Sequence, residues 1–216
     1  MHNIIKVLYK ISSKYAPSRN LSFGIVHLFK TLQLANSYGH ISRSLLCKEL
    51  GLGEGSIKTL IKHLKMHEMI VTHNSGTILT QKGKHILFEL LSLIPSETFI
   101  PESSITLAKY NYSVRLKDSA NLISFGLEQR DEAIKLGAKG ATTLLFLKGK
   151  FIIPGTDYDA LNSEKVIRNI LIQKLQPKDN DVIIIGSDDN NEIIAELASK
   201  SAALFTIKSH NDHKNL

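Results

Sequence analysis

The sequence predicts a two-domain α+β protein: an N-terminal winged helix-turn-helix and a C-terminal α/β domain with a mixed sheet. Three observations lead there. The basic excess lies in one half, since residues 1–95 hold 12 Lys+Arg against 4 Asp+Glu, whereas residues 96–216 hold 15 against 16. The hydrophobic pattern changes at the same place, from helical spacing to strand alternation. Between the two lies the serine- and glutamate-rich segment 96–104, broken by Pro101, which reads as a linker.

Each element follows from spacing and punctuation. Residues 1–15 place Ile4, Ile5, Leu8 and Ile11 on one helical face. Pro17 breaks that run, and Asn20 is placed to cap a helix over 21–36 carrying Leu21, Ile25, Leu28, Phe29 and Leu32. Ser42 caps a shorter helix with Leu45, Leu46 and Leu50. A glycine-punctuated turn at 51–53 then opens a helix over 55–67, whose apolar positions Ile57, Leu60, Ile61 and Leu64 form a single stripe. Two short strand-like runs, 69–72 and 77–79, flank the turn chemistry of 73–76 and make a hairpin. Thr80 caps the helix that ends before Pro95.

Beyond the linker, 110–116 alternates like a strand, and a helix over 125–136 closes at Gly137. Residues 142–147 and 151–153 form a hairpin through Lys148-Gly149-Lys150. Ser163 is placed to cap a helix with Val166, Ile167, Ile170, Leu171 and Leu175. Val182–Ile185 is an apolar strand of the kind buried on both faces. A helix over 190–200 and a strand over 203–208 complete a β-α-β unit, giving an α/β domain over 105–209 and a flexible tail over 210–216.

Composition excludes several classes. The longest apolar runs are too short to cross a bilayer, and the lysines at 6, 10 and 14 interrupt any signal-like segment. Cys47 is the single cysteine, so no internal disulfide forms and a cytoplasmic setting is expected. There is no P-loop, G-x-G-x-x-G or G-x-S-x-G, and no nucleophile, base and oxyanion donor come together, so no catalytic residue and no cofactor are expected. His63 and His67 have a metal-compatible spacing, but no further ligand completes a set and no metal is expected.

The candidate residues lie on the 55–67 helix and the hairpin. Opposite the apolar stripe stand Gly55, Ser56, Lys58, Thr59, Lys62, His63 and Lys65, a cationic and hydroxyl-bearing face of the kind a DNA-reading helix presents. Lys58 and Thr59 are expected at base edges and Ser56 and Lys62 at phosphates, with Arg43, His73 and Asn74 as further backbone contacts. In the second half, Ser187, Asp188 and Asp189 follow a buried strand and open a helix. With Arg130 they are the candidate ligand-binding set, a helix cap being the competing reading.

The run Leu50 to Ile61, with Ile41-Ser42-Arg43 before it and Leu79-Thr80-Gln81-Lys82-Gly83 after it, resembles an archaeal family of winged helix-turn-helix transcriptional regulators. That family carries an uncharacterised C-terminal α/β domain, a domain of unknown function. The stretch from Gly137 to Leu144 and on to Pro154-Gly155 is similar to it as well. The resemblance implies a cytoplasmic DNA-binding regulator. Two positions depart from its pattern: Lys58 replaces an arginine, and Glu68 stands where a glycine precedes the hairpin. The expected partners are double-stranded DNA, a second copy in a homodimer and a small-molecule effector, with no membrane. The alternative is an enzyme acting on a nucleotide or coenzyme precursor in the second half, regulated by the winged helix; a protein- or RNA-binding winged helix is a third reading.

Overall fold

The structure, a computed structural model, describes residues 3–13 and 21–213, with side chains from residue 4 to residue 208. The described elements are α1 (Asn3–Ile11), α2 (Ile25–Tyr38), α3 (Arg43–Leu50), α4 (Glu54–Met66), β1 (Ile70–His73), β2 (Gly76–Leu79), α5 (Gln81–Leu93), β3 (Ser96–Ile100), β4 (Tyr110–Leu116), α6 (Leu127–Lys135), β5 (Gly140–Leu147), β6 (Lys150–Ile152), α7 (Lys165–Leu175), β7 (Asp181–Asp188) and α8 (Glu192–His213). The chain divides into two compact units, Met1–Leu90 and Leu91–Leu216.

In the first unit the expected stripes form the core. Ile4, Ile5, Leu8 and Ile11 of α1 are buried together with Leu28, Phe29 and Leu32 of α2, Leu46 and Leu50 of α3, and Ile57, Leu60 and Leu64 of α4. The helix ends are capped by local side chains. Ser42 Oγ accepts the Leu45 N–H at 3.1 Å, as its position before α3 predicts. Thr80 Oγ1 accepts the Gly83 N–H at 3.0 Å and donates to the Glu68 carbonyl at 2.6 Å, so one hydroxyl both caps α5 and ties it to the start of the hairpin. The α2 cap differs from expectation: His27 Nδ1 accepts the Gly24 N–H at 3.1 Å, and Asn20 lies outside the described residues. The hairpin turns through Asn74 and Ser75, with His73 paired to Gly76, and Ile41 exchanges two 2.9 Å hydrogen bonds with Thr77 beside it.

Two backbone positions show how tightly these pieces meet. Glu68 is left-handed, with φ 59°, a conformation that glycine adopts most readily. Gly83 sits inside α5 where an added Cβ would lie 2.1 Å from the Met69 carbonyl oxygen, so only glycine lets the helix touch that backbone.

The second unit is a five-stranded sheet in the order β3-β4-β7-β5-β6. Every neighbouring pair is antiparallel, which corrects the expected mixed sheet. Strands β4 and β5 run in the same direction across the α6 crossover, but β7 inserts between them and pairs antiparallel with both. The buried run Val182–Ile185 was the signal for β7, and it is buried on both faces as expected. Ile183 and Ile185 pack with Ile167, Leu171 and Leu175 of α7 on one face. On the other face Gly186 meets α8, where an added Cβ would lie 2.3 Å from the Ala195 carbonyl oxygen.

Three further expectations are corrected. Residues 96–100 of the expected linker form the edge strand β3, because Thr98 and its neighbours find Tyr112–Arg115 as ladder partners. Residues 203–208, expected as a strand, continue α8, which runs on to His213 through part of the expected tail. Buried Ala195, Ala198, Ala202 and Thr206 carry the helical period through that apolar run. Helix α7 is preceded by Glu164 with no side-chain cap, so Ser163 does not cap it.

Two stability predictions follow from the first unit. Gly83→Ala is expected to lower stability by about 2–3 kcal/mol through the clash with Met69. Gly55→Ala, in α4 with nothing within 4 Å of the new methyl, should raise stability by about 0.5–1 kcal/mol. Urea unfolding of both variants reads the opposite signs. Burial, and secondarily the Lys30 charge, lower the His27 pKa from 6.5 to about 4. The unfolded chain therefore takes up that proton first as pH falls. Stability from this group is complete above about pH 6.5 and declines by up to about 3 kcal/mol as pH approaches 4. Urea midpoints between pH 7.5 and 4.5 should show this decline, and His27→Gln should flatten it.

Candidate nucleic-acid interface

Helix α4 is held by one face and open on the other. Ile57, Leu60 and Leu64 are fully buried, each worth roughly 1.5–3 kcal/mol of transfer free energy. Ile61, the fourth residue of the predicted stripe, is only half-buried. The outward face carries Gly55, Lys58, Lys62, Lys65 and Met66, all exposed. Lys58, Ile61, Lys62, Lys65 and Met66 together line a shallow open depression. Spacings of three and four residues put the three lysines in one row along the helix.

The other expected contacts divide. Arg43, the first residue of α3, and His73 and Asn74, at the tip of the hairpin, are exposed as expected. Ser56 is half-buried at the start of α4. Thr59, also half-buried, donates its hydroxyl proton to the Gly55 carbonyl at 3.0 Å, so that proton is already committed. His63 is the clear correction. Its side chain turns inward, 3 % exposed, with Nδ1 2.6 Å from the Ile11 carbonyl and its ring edge-on to Phe23 at 5.5 Å. It fastens α4 to the end of α1 and cannot face a ligand. Sequence reasoning placed Lys65 on the open face but left it out of the contact set; its i, i+3 and i+7 spacing from Lys62 and Lys58 was the available signal.

The candidate ligand set of the second unit is brought to one end of the sheet but is internally satisfied. Ser187 pairs with Gly140 across β5 and β7, and an added Cβ on Gly140 would lie 3.5 Å from Arg130 Cγ. Yet Ser187 is fully buried: its Oγ donates to Asn111 Oδ1 at 2.7 Å and accepts the Leu107 N–H at 3.2 Å. Asp188 Oδ1 accepts the N–H groups of Asn190 and Asn191 at 2.9 and 2.7 Å, organising the turn into α8. Asp189 pairs with Lys139 at 3.1 Å and Arg130 with Asp131 at 3.1 Å, both on the surface. Asp188 shapes the turn that precedes α8, the helix itself being capped by Asn191, whose Oδ1 accepts the Ile193 N–H at 2.9 Å, and Ser187 is a core hydrogen-bonding residue.

One charged cluster went unnoticed in the sequence. Lys200, 1 % exposed, lies 2.6 Å from Glu196, 2.9 Å from Glu97 and 5.5 Å from the Tyr112 ring. Burial, then the charges of Glu97 and Glu196, push the Tyr112 hydroxyl well above its usual range. The ammonium between two carboxylates ties β3 and β4 to α8, and each ion has its counter-ion. Among the described residues no group of three or more His, Cys, Asp and Glu side chains could hold a metal ion, and no helix is long and apolar enough to cross a membrane.

Comparison with known proteins bears on the second unit. The family model described as "Domain of unknown function (DUF4443)" matches residues 107–207. The chain carries a DUF4443 domain. No curated protein matches the chain. Among solved structures it is similar to the hypothetical protein PH0730 from Pyrococcus horikoshii OT3, an archaeal protein, at 24% identity and a TM-score of 0.70, covering 88% of this chain and 95% of that one. That likeness concerns the fold alone. The DUF4443 match spans β4 through most of α8 and so includes Ser187, Lys200 and Tyr112.

Within the DUF4443 domain, Ser187→Ala should leave the Asn111 and Leu107 groups unpaired in the core and cost about 2 kcal/mol of stability. Asp189→Ala, which removes a surface ion pair, should change it by less than about 0.5 kcal/mol. Urea denaturation of the two variants distinguishes a core role from a surface one.

Proposed function

We propose that the chain is a DNA-binding transcriptional regulator in which α3 and α4 act as a helix-turn-helix and β1–β2 as its wing. The observation that carries this reading is the row Lys58, Lys62 and Lys65 on the open face of α4. None of the three forms an ion pair with a described residue. A row of unpaired ammonium groups on a helix fixed by its opposite face suits a polyanion. The B-form major groove, about 12 Å wide, admits a helix, whereas the deep, narrow major groove of duplex RNA does not. Duplex DNA is therefore the favoured ligand, with Arg43 at the start of α3 and His73 and Asn74 at the hairpin tip as flanking contacts.

The second unit is proposed to serve assembly, as a homodimer, or the sensing of a small molecule. Assembly has the better support: Phe125, Leu127 and Ile134 remain exposed on this unit, whereas Ser187 is sealed in its core. The apolar face of α1 is spent in the core of its own unit. The enzyme reading loses its strongest residues to structural roles.

Replacing Lys58 and Lys62 together with alanine should weaken binding to a labelled 20-base-pair duplex at least about tenfold at low salt. It should also flatten the dependence of log K on log salt by about 2. Fluorescence anisotropy measures both, and unchanged affinity would remove α4 from the interface.

A further inference from the structure

Resting on the DNA reading, we infer that the first unit takes duplex DNA by its phosphates and tolerates sequence, discriminating little between base pairs. Base identity in the major groove is read most sharply by planar or paired donors and acceptors, Arg on guanine, Asn or Gln on adenine and carboxylates on cytosine, while Lys on guanine is a point contact without the fork. Apart from the exposed carboxylate of Glu54 at its first position, the open face of α4 offers Gly55, Lys58, Lys62, Lys65 and Met66, none of which is a planar or paired reader. A lysine ammonium is a compact, strongly hydrated point charge suited to a phosphate oxygen, and it lacks the fork that reads guanine.

Three structural facts narrow the remaining readers and leave Asn74, at the hairpin tip, as the exposed amide of the proposed interface. The hydroxyl proton of Thr59 is given to the Gly55 carbonyl. The imidazole of His63 is buried against Ile11 and Phe23. The hairpin is short, turning through two residues, and the sequence of β1 and β2 with that turn, from Ile70 to Leu79, contains no lysine or arginine. The wing thus brings no permanent cation to a minor groove. Arg43, exposed at the start of α3, is the one described arginine of this unit, and it stands off α4. What remains is a lysine row spaced by helical turns, with half-buried Ile61 and exposed Met66 beside it. That surface matches the charge of a duplex and carries little of the hydrogen-bond code of any particular one.

The test uses the full-length chain and labelled 20-base-pair duplexes of differing sequence, with a salt titration and a selection from a random duplex pool. The expected results are a log K against log salt slope of about −3 to −4, from Lys58, Lys62, Lys65 and Arg43, and affinities within about tenfold across sequences. The K58Q/K62Q/K65Q variant, which keeps the buried face of α4, should lose about three of those slope units. A selected motif bound more than about tenfold above the pool overturns this inference and leaves the DNA reading standing. A wild-type slope in the triple variant overturns the assignment of the lysine row. No binding at low salt, or equal binding of duplex RNA, overturns the DNA reading itself.

Discussion

What the first unit can offer a partner depends on the anchoring of α4. Ile57, Leu60 and Leu64 commit one side of the helix to the core, and the contact of His63 with the Ile11 carbonyl fixes its rotation about its own axis. With the helix pinned on that side, the lysines at 58, 62 and 65 have one direction left to point. The capping bonds of Ser42 and Thr80 serve the same end. They fix where α3 starts and where the chain leaves the hairpin, so α4 is framed by elements whose boundaries cannot slide.

The second unit follows a different logic, set by the insertion of β7. A strand apolar on both sides must be covered on both sides, and α7 and α8 do so. Gly186 and the small residues of α8 let helix and strand backbones approach closely. Ser187 and Lys200, drawn into this packing, are paired there, Ser187 with Asn111 and Lys200 with Glu97 and Glu196. Residues that look chemically equipped in the sequence are thereby consumed by the fold. The hypothesis of DNA binding accordingly rests on the first unit, where cations are left unpaired.

Much of the fold was legible residue by residue. The stripes of α1 and α4, the caps at Ser42 and Thr80, the hairpin, β4 at 110–116 and the doubly buried β7 all depend on neighbours within a few positions, which sequence spacing reports directly. The errors have physical causes. The run after Lys200 is apolar and short, so its period was ambiguous between strand and helix. Residues 96–100 have linker composition, and only the presence of β4 beside them makes a strand. The mixed sheet was inferred from a β-α-β order over 182–208 whose second strand is helix in the fold, and β7 instead enters between β4 and β5, antiparallel to both.

By itself, then, the sequence determined the local elements, the confinement of the net positive charge to the first 95 residues and the lysine spacing on α4. Tertiary structure decided which polar side chains are left for a ligand. His63 stands 52 residues from Ile11, and Ser187 stands 76 from Asn111. A side chain's partner at such a distance is chosen by how the elements pack, and local spacing carries no record of it. The sequence shows a histidine on a cationic helix and a serine after a strand; packing turns both inward and leaves the lysines facing out.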